Sequence, residues 1–172
     1  MKQGYVQVYT GDGKGKTTAA LGLTLRAVGA GLKVYIGQFI KKGCTSEIKT
    51  LRRRFPEVTV KQYGRGCFIR NKPDPADIQC ARRGLAHLRR AIVSNRFDLV
   101  IADEANGAVV AGLLNVADLL NLIDAKPPGV ELVFTGRQAH TRLIRRADLV
   151  TEMKAVKHYF HRRVPARQGI EY

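Results

Sequence analysis

Two hydrophobic periodicities alternate along this chain. Short apolar runs, alternating or unbroken, predict strands at residues 5–10, 33–39, 57–62, 97–102, 130–135 and 149–152. Between them the apolar positions take a helical spacing. In residues 17–30, Ala20, Leu21, Leu23, Thr24, Ala27 and Val28 make one broad apolar face that Gly29 and Gly31 close. A longer helix follows Pro73-Asp74-Pro75, with Asp74 suited to cap it ahead of Pro75. Its apolar positions are Ile78, Ala81, Leu85, Leu88 and Ile92, and Arg82, Arg83, Arg89 and Arg90 fall mostly on other faces. Residues 116–123 and 138–146 predict two further helices, and Pro127-Pro128-Gly129 breaks the chain before the fifth strand. From Met153 onward the chain is basic and less regular.

Strands separated by helices predict an α/β fold of three layers, with a mostly parallel central sheet covered on both faces. The chain has 172 residues, with no internal repeat, low-complexity tract or linker, so a single domain over 1–172 is expected. Ligands on such sheets bind beyond the carboxyl ends of the strands. Each Gly-rich or polar cluster in the chain follows a predicted strand end.

The most informative cluster is Thr10-Gly11-Asp12-Gly13-Lys14-Gly15-Lys16-Thr17-Thr18, placed between the first strand and the first helix. Strand, Gly-rich turn and helix are the context of a phosphate-binding loop, in which backbone N–H groups close around phosphate oxygens. Lys16 supplies a mobile cation and Thr17 a hydroxyl for a magnesium ion. The usual pattern places glycine five positions before the Gly-Lys-Ser/Thr glycine. Here that position is Thr10, and Gly11 comes one place late. The fourth predicted strand ends in Asp103-Glu104, the companion of such loops, where an acid holds magnesium directly or through water.

Three more clusters carry weaker signals. Thr135-Gly136-Arg137 ends a strand and can set a guanidinium on phosphate oxygens, although a surface arginine after a turn has the same pattern. Residues 37–43 (Gly-Gln-Phe-Ile-Lys-Lys-Gly) read as a basic turn. Residues 63–69 (Tyr-Gly-Arg-Gly-Cys-Phe-Ile) read either as a pocket edge or as a buried turn with Phe68 in the core. His158 and His161 lie among Lys157, Arg162 and Arg163, surroundings that disfavour a bound zinc ion.

Bulk composition narrows the class. A content of 45% hydrophobic and 26% charged residues fits a soluble globular chain. Three cysteines in no Cys-x-x-Cys pair read as reduced thiols. The first residues run straight into a strand without an apolar signal core, and no apolar run approaches the ~20 residues of a membrane span, so a cytoplasmic enzyme without membrane attachment is expected. The net charge of +16 attracts polyanions in general, nucleotides and nucleic acids alike.

Taken together, these clusters resemble the P-loop ATP:corrinoid adenosyltransferases, the cob(I)yrinic acid a,c-diamide adenosyltransferase family. The resemblance runs through residues 10–18, Gln38-Phe-Ile-Lys41, Asp103-Glu104, Thr135-Gly-Arg137, Ala147-Asp148, Glu152, Val156-Lys-His158 and Gln168-Gly-Ile-Glu-Tyr172. The family's loop shares the Thr-Gly-x-Gly-Lys-Gly-Lys-Thr-Thr form, so the displaced glycine is expected in it. The resemblance implies a P-loop NTPase-like fold and a reaction in which Co(I) of a reduced corrinoid attacks the 5′-carbon of ATP and inorganic triphosphate leaves. It further implies that ATP lies in the loop the opposite way round from ordinary ATPases. It implies a homodimer, and an outside electron donor of flavin type is compatible with it.

On this reading residues 10–18 and Arg137 bind the nucleotide, Lys16 and Glu104 act in catalysis, and Thr17 and Glu104 hold magnesium. Relatives place bulky aromatic residues beneath the corrin ring in a Gly-x-Gly-Phe-x-Trp segment. Here Gly64-Arg65-Gly66 matches, but Cys67 and Ile69 stand at the aromatic positions and the chain has no tryptophan. Either Phe68 serves from a shifted register or the corrinoid used carries no lower base. Some relatives also cover the corrinoid with an N-terminal extension, and this chain has little before its first strand, so the cover is expected from elsewhere. Two other classes compete: a P-loop ATPase or kinase of another kind, with Glu104 orienting water, and a basic nucleic-acid-binding protein. The second lacks any recognised nucleic-acid motif and has only 7% aromatic residues.

Overall fold

The computed structural model describes residues 1–41, 43, 45–66 and 73–172. Six strands form one sheet: β1 (Val6–Thr10), β2 (Val34–Phe39), β3 (Val58–Tyr63), β4 (Leu99–Asp103), β5 (Glu131–Thr135) and β6 (Leu149–Glu152). Their spatial order is β3-β2-β4-β5-β1-β6 and every pairing is parallel. The alternating and continuous apolar runs thus become strands as expected, within one or two residues at each end.

The helices are α1 (Lys16–Gly29), α2 (Ser46–Arg54), α3 (Pro75–Val93), α4 (Ala105–Val110), α5 (Val116–Asp124) and α6 (Thr141–Arg146), with a 3-10 turn at Tyr159–Arg162. Asp74 caps α3 as its sequence predicts, accepting a hydrogen bond from the Ala76 N–H at 2.7 Å, with Pro75 in the first turn. Two helices escape hydrophobic periodicity. α2 buries only Ile48 and Leu51, and α4 is six residues long with a glycine inside it. The last helix is shorter than the apolar spacing predicts, because Gln138 takes a positive φ of 51° and the Ala139 N–H is held by Thr10 Oγ1 at 3.0 Å. His140 then caps the turn that begins at Thr141.

Strand alternation sorts the core into two layers. Val34, Ile36, Leu99, Ile101 and Val133 pack with Ala20 and Ala27 of α1 and Ile48 and Leu51 of α2. Tyr35, Phe39, Val100, Ala102, Leu132 and Phe134 pack on the opposite side with Leu88 and Ile92 of α3, Leu119 and Leu122 of α5, and Leu143 of α6. Adjacent residues of one strand therefore serve opposite layers, as the pleat requires. Gly84 lets α3 lie close to the sheet, since a Cβ there would come within 2.6 Å of the Tyr63 ring. Because all strands run the same way, the loops after β1, β2, β4 and β5 meet at one edge of the sheet.

Candidate functional site

The loop after β1 leans on backbone beyond β6. The Gly13 N–H donates to the Met153 carbonyl at 2.7 Å, and a Cβ on Gly13 would come within 2.7 Å of that same oxygen. Gly11 and Gly15 take φ of 94° and 123°, a region that side chains strain to adopt. Thr10 is the last residue of β1 and its hydroxyl accepts from Ala139, so the turn itself begins at Gly11. That is the physical account of the displaced glycine.

Lys16 is buried and its ammonium folds back on the loop, donating to the carbonyls of Gly11 at 2.6 Å and Gly13 at 2.7 Å. Burial pushes its pKa down, partly opposed by the Glu104 carboxylate. Two carbonyls thus hold the cation where it faces the cavity, ready to exchange them for stronger anionic acceptors.

Asp103, 2% exposed, organises the floor of the site. Its Oδ1 accepts from Thr17 Oγ1 at 2.9 Å and Thr135 Oγ1 at 2.7 Å, and its Oδ2 accepts from Gln38 Nε2 at 2.8 Å. Gln38 lies beside Asp103 because β2 and β4 pair in that register. Lys41 completes the cluster: its ammonium lies 3.6 Å from Asp103 Oδ2 and 3.8 Å from Glu104 Oε1, and donates to Thr17 Oγ1 at 3.2 Å. Residues 37–43, a basic turn by sequence, therefore supply two side chains to the centre of the site. No local pattern marks them; strand pairing alone brings them there.

Glu104 follows β4 with a left-handed φ of 57°, its N–H donating to Thr135 Oγ1 at 2.9 Å. A non-glycine residue in that region costs on the order of 1 kcal/mol, the kind of strain concentrated at functional sites. The turn aims its carboxylate into the cavity and not along the sheet. Burial pushes its pKa above the usual carboxylate range, with Lys41 opposing the shift and Asp103 adding to it.

These groups line a cavity of about 390 Å³ at the carboxyl edge of the sheet. Of the predicted nucleotide residues, Lys14, Gly15, Lys16, Thr17, Thr18, Glu104 and Arg137 border it. Thr10, Gly11 and Asp12 border a separate hollow beside Glu152 and Ala139. Gly13 faces the loop interior through its carbonyl bond to Lys16. Phe68, with Cys67 and Ile69, lies outside the described residues. Beside them, Gly64 packs where a Cβ would overlap the Ile40 carbonyl, so the turn after β3 lies against the turn that carries Lys41. Ser46, Glu47 and residues 169–172 also border the cavity, and no chemistry-bearing pattern in the chain marks the last of these as a wall.

Among described residues no group of three or more histidine, cysteine, aspartate or glutamate side chains could hold a metal ion unaided. The oxygen donors that face the cavity are the Thr17 hydroxyl and the Glu104 carboxylate.

The family model described as ATP:corrinoid adenosyltransferase BtuR/CobO/CobP matches residues 2–172. The corrinoid adenosyltransferase of Pseudomonas aeruginosa is 36% identical over 172 residues, spanning 99% of this chain and 85% of its own. That of Escherichia coli K12 is 34% identical over 172 residues, spanning 99% of this chain and 87% of its own. The corrinoid adenosyltransferase CobA of Salmonella typhimurium matches to the same extent, 34% over 172 residues. Among solved structures, the RadB recombinase covers 91% of this chain and 77% of its own with a TM-score of 0.55 at 14% identity, a likeness of fold.

Proposed function

The chain belongs to the ATP:corrinoid adenosyltransferase family, and from that premise we propose how its own residues carry the transfer. It moves the 5′-deoxyadenosyl group of ATP to the Co(I) of a reduced corrinoid. The cobalt–carbon bond forms with the cobalt's electron pair, the bond from the 5′-carbon to oxygen breaks, and that pair leaves with triphosphate. The observation that carries this reading is one cavity that joins Lys16, Thr17, Glu104 and Arg137 at the strand ends, in a chain matched by the family model from residue 2 to 172.

Co(I) is a strong nucleophile, so the reaction calls on the protein for position and for charge stabilisation of the leaving group. Lys16 exchanges the carbonyls of Gly11 and Gly13 for phosphate oxygens. The amides of the loop and Arg137 add further donors. Thr17 and Glu104 are hard oxygen donors suited to a magnesium ion that otherwise keeps water and phosphate oxygens. Such an ion, when bound, spreads the charge that builds on triphosphate. Asp103 orients Thr17 through its 2.9 Å hydrogen bond, and Gln38 and Thr135 fix Asp103 in turn.

The chain acts as a cytoplasmic homodimer, single-domained over 1–172. Support for the dimer comes from β6, an edge strand whose residues are all exposed, with Leu149 and Val150 among them and Val156 and Phe160 exposed beyond it. An unpaired apolar edge is a surface that native proteins cover. No helix among the described residues is long and apolar enough to cross a membrane. The Co(I) state needs an electron from outside the chain, a task suited to a reduced flavin donor.

Purified protein given ATP, magnesium and a chemically reduced corrinoid is expected to release triphosphate in step with adenosylcorrinoid. Release of ADP and phosphate instead would overturn the reading. Lys16→Ala is expected to lower kcat by about 100- to 1,000-fold, the usual loss for one leaving-group donor.

A further inference from the structure

The phosphate loop carries two lysines, and the structure separates them. Lys16 turns inward to the loop carbonyls, whereas Lys14 turns outward to residues 169–172. The Lys14 ammonium donates to the Ile170 carbonyl at 3.0 Å and to Glu171 Oε1 at 2.9 Å. Glu171 is gripped from its other side by Arg167, whose backbone N–H, Nε and Nη2 reach it at 2.8, 3.2 and 3.1 Å. Arg167 is itself seated over the Tyr159 ring, 5.0 Å from its centroid. The segment is closed on itself by the Gly169 N–H donating to the Tyr172 carbonyl at 2.7 Å. That same carbonyl accepts from Ser46 Oγ of α2 at 3.2 Å. Residues 169–172 are thereby fastened at two points, on the loop and on α2, and they form the wall of the cavity opposite Glu104 and Arg137.

We infer that residues 169–172 are a strap that completes the nucleotide pocket, and that Lys14 is the positioning residue that fastens it through Glu171, while Lys16 serves the phosphates. This deepens the proposed function and rests on it for the identity of the ligand as a nucleoside triphosphate. A lysine whose donors are taken by a carbonyl and a carboxylate is committed to holding backbone in place. Arg167 and Lys14 keep the Glu171 carboxyl far down, at about 2, so the fastening stays ionised through the whole neutral range.

Simple electrostatics and the strap predict opposite signs for one substitution. Glu171 puts a negative charge beside a site for a polyanion, so a purely electrostatic role makes Glu171→Gln bind ATP more tightly. The strap makes Glu171→Gln bind ATP more weakly, by about three- to tenfold, the range set by one or two charge-assisted hydrogen bonds to a partly exposed group.

The test is titration of the full chain with magnesium-ATP by calorimetry, for Glu171→Gln, Lys14→Met and the double variant. The expected result is equal weakening by each single variant and no further loss in the double variant. Steady-state turnover is expected to place the loss on KM for ATP and not on kcat. Unchanged or tighter binding by Glu171→Gln overturns the proposal. So does a Lys14→Met loss more than about tenfold beyond that of Glu171→Gln, which would put Lys14 on the phosphates directly.

The chain has no tryptophan, so Tyr172→Trp makes a single emission reporter of the strap. Its emission is expected to change on ATP addition, and to lose that change when Glu171→Gln is added; an emission indifferent to ATP counts against the strap. Binding needs no corrinoid, so a failure of adenosyl transfer and a failure of the strap are read in separate experiments.

Discussion

Removing the Asp103 carboxylate is the most demanding perturbation of the site, because the side chain is buried and three groups donate to it. Hydrogen bonds to a charged acceptor contribute about 1.5–3 kcal/mol each, but these three do not add. The Thr135 hydroxyl still accepts from the Glu104 N–H, and the Thr17 hydroxyl still accepts from Lys41, so both keep a partner in Asp103→Ala. The Gln38 amide loses its acceptor in the interior, and Lys41 loses its nearer carboxylate. Breaking a buried charged cluster on one side costs about 3–5 kcal/mol. For a chain of this length each kcal/mol moves Tm by about 2–4 °C, so Asp103→Ala is expected to melt roughly 6–20 °C below the parent. Asp103→Asn keeps the shape and one acceptor oxygen and is expected to cost about 1–2 kcal/mol. Urea unfolding followed by far-ultraviolet circular dichroism measures both. An Asp103→Ala variant within about 1 kcal/mol of the parent would refute the claim that this carboxylate organises the floor of the site.

Further predictions concern the acid at the cavity and the packing beneath it. Burial raises the Glu104 pKa, and a carboxyl raised by folding contributes stability that is full below its unfolded pKa and is lost as pH rises through the folded one. Glu104→Gln is therefore expected to raise Tm by about 1–4 °C at neutral pH, with the gain vanishing near pH 4, while adenosyl transfer falls. Melting curves across pH check it, and an unchanged or lower Tm at neutral pH counts against the assignment. Gly84→Ala would place a Cβ 2.6 Å from the Tyr63 ring and 2.9 Å from Phe39. The expected cost is about 1–3 kcal/mol from overpacking, more than the ~1 kcal/mol that alanine gains in a helix, and a stabilised variant in urea would contradict it.

What the chain reveals by itself follows from how local each feature is. The strands, the Gly-rich loop and the Asp103-Glu104 pair are written in neighbouring residues, and the structure forms each of them. Gln38 and Thr135 become part of the site only because β2 and β5 flank β4, a placement that no residue near them encodes. Lys41 sits in a turn whose composition has many non-functional counterparts. α2 is hidden because only two of its nine residues are buried, so it has no apolar stripe to read. The role of residues 169–172 depends on contacts that span more than 150 positions, from Lys14 to Ile170 and Glu171. The corrin-facing expectation for Phe68 lies outside the described residues.

The net charge of +16 separates from the chemistry once the cavity is mapped. Around the cavity Lys14, Lys16, Lys41 and Arg137 stand against Glu47, Glu104 and Glu171, a near balance. The excess lies elsewhere, on Arg52, Arg53 and Arg54 at the end of α2 and on Arg82, Arg83, Arg89 and Arg90 along the exposed faces of α3. Charges at that remove act through the screened field of the whole surface, over a Debye length of about 8 Å at physiological ionic strength. They raise the local concentration of any polyanion without selecting one. Selection falls to the cavity, where each cation already has a protein partner to exchange: Lys16 its two loop carbonyls, Lys41 its two carboxylates. A site built on exchange holds its cations in place before ligand arrives. A triphosphate leaving group can be stabilised there without the reorganisation that free surface lysines would require.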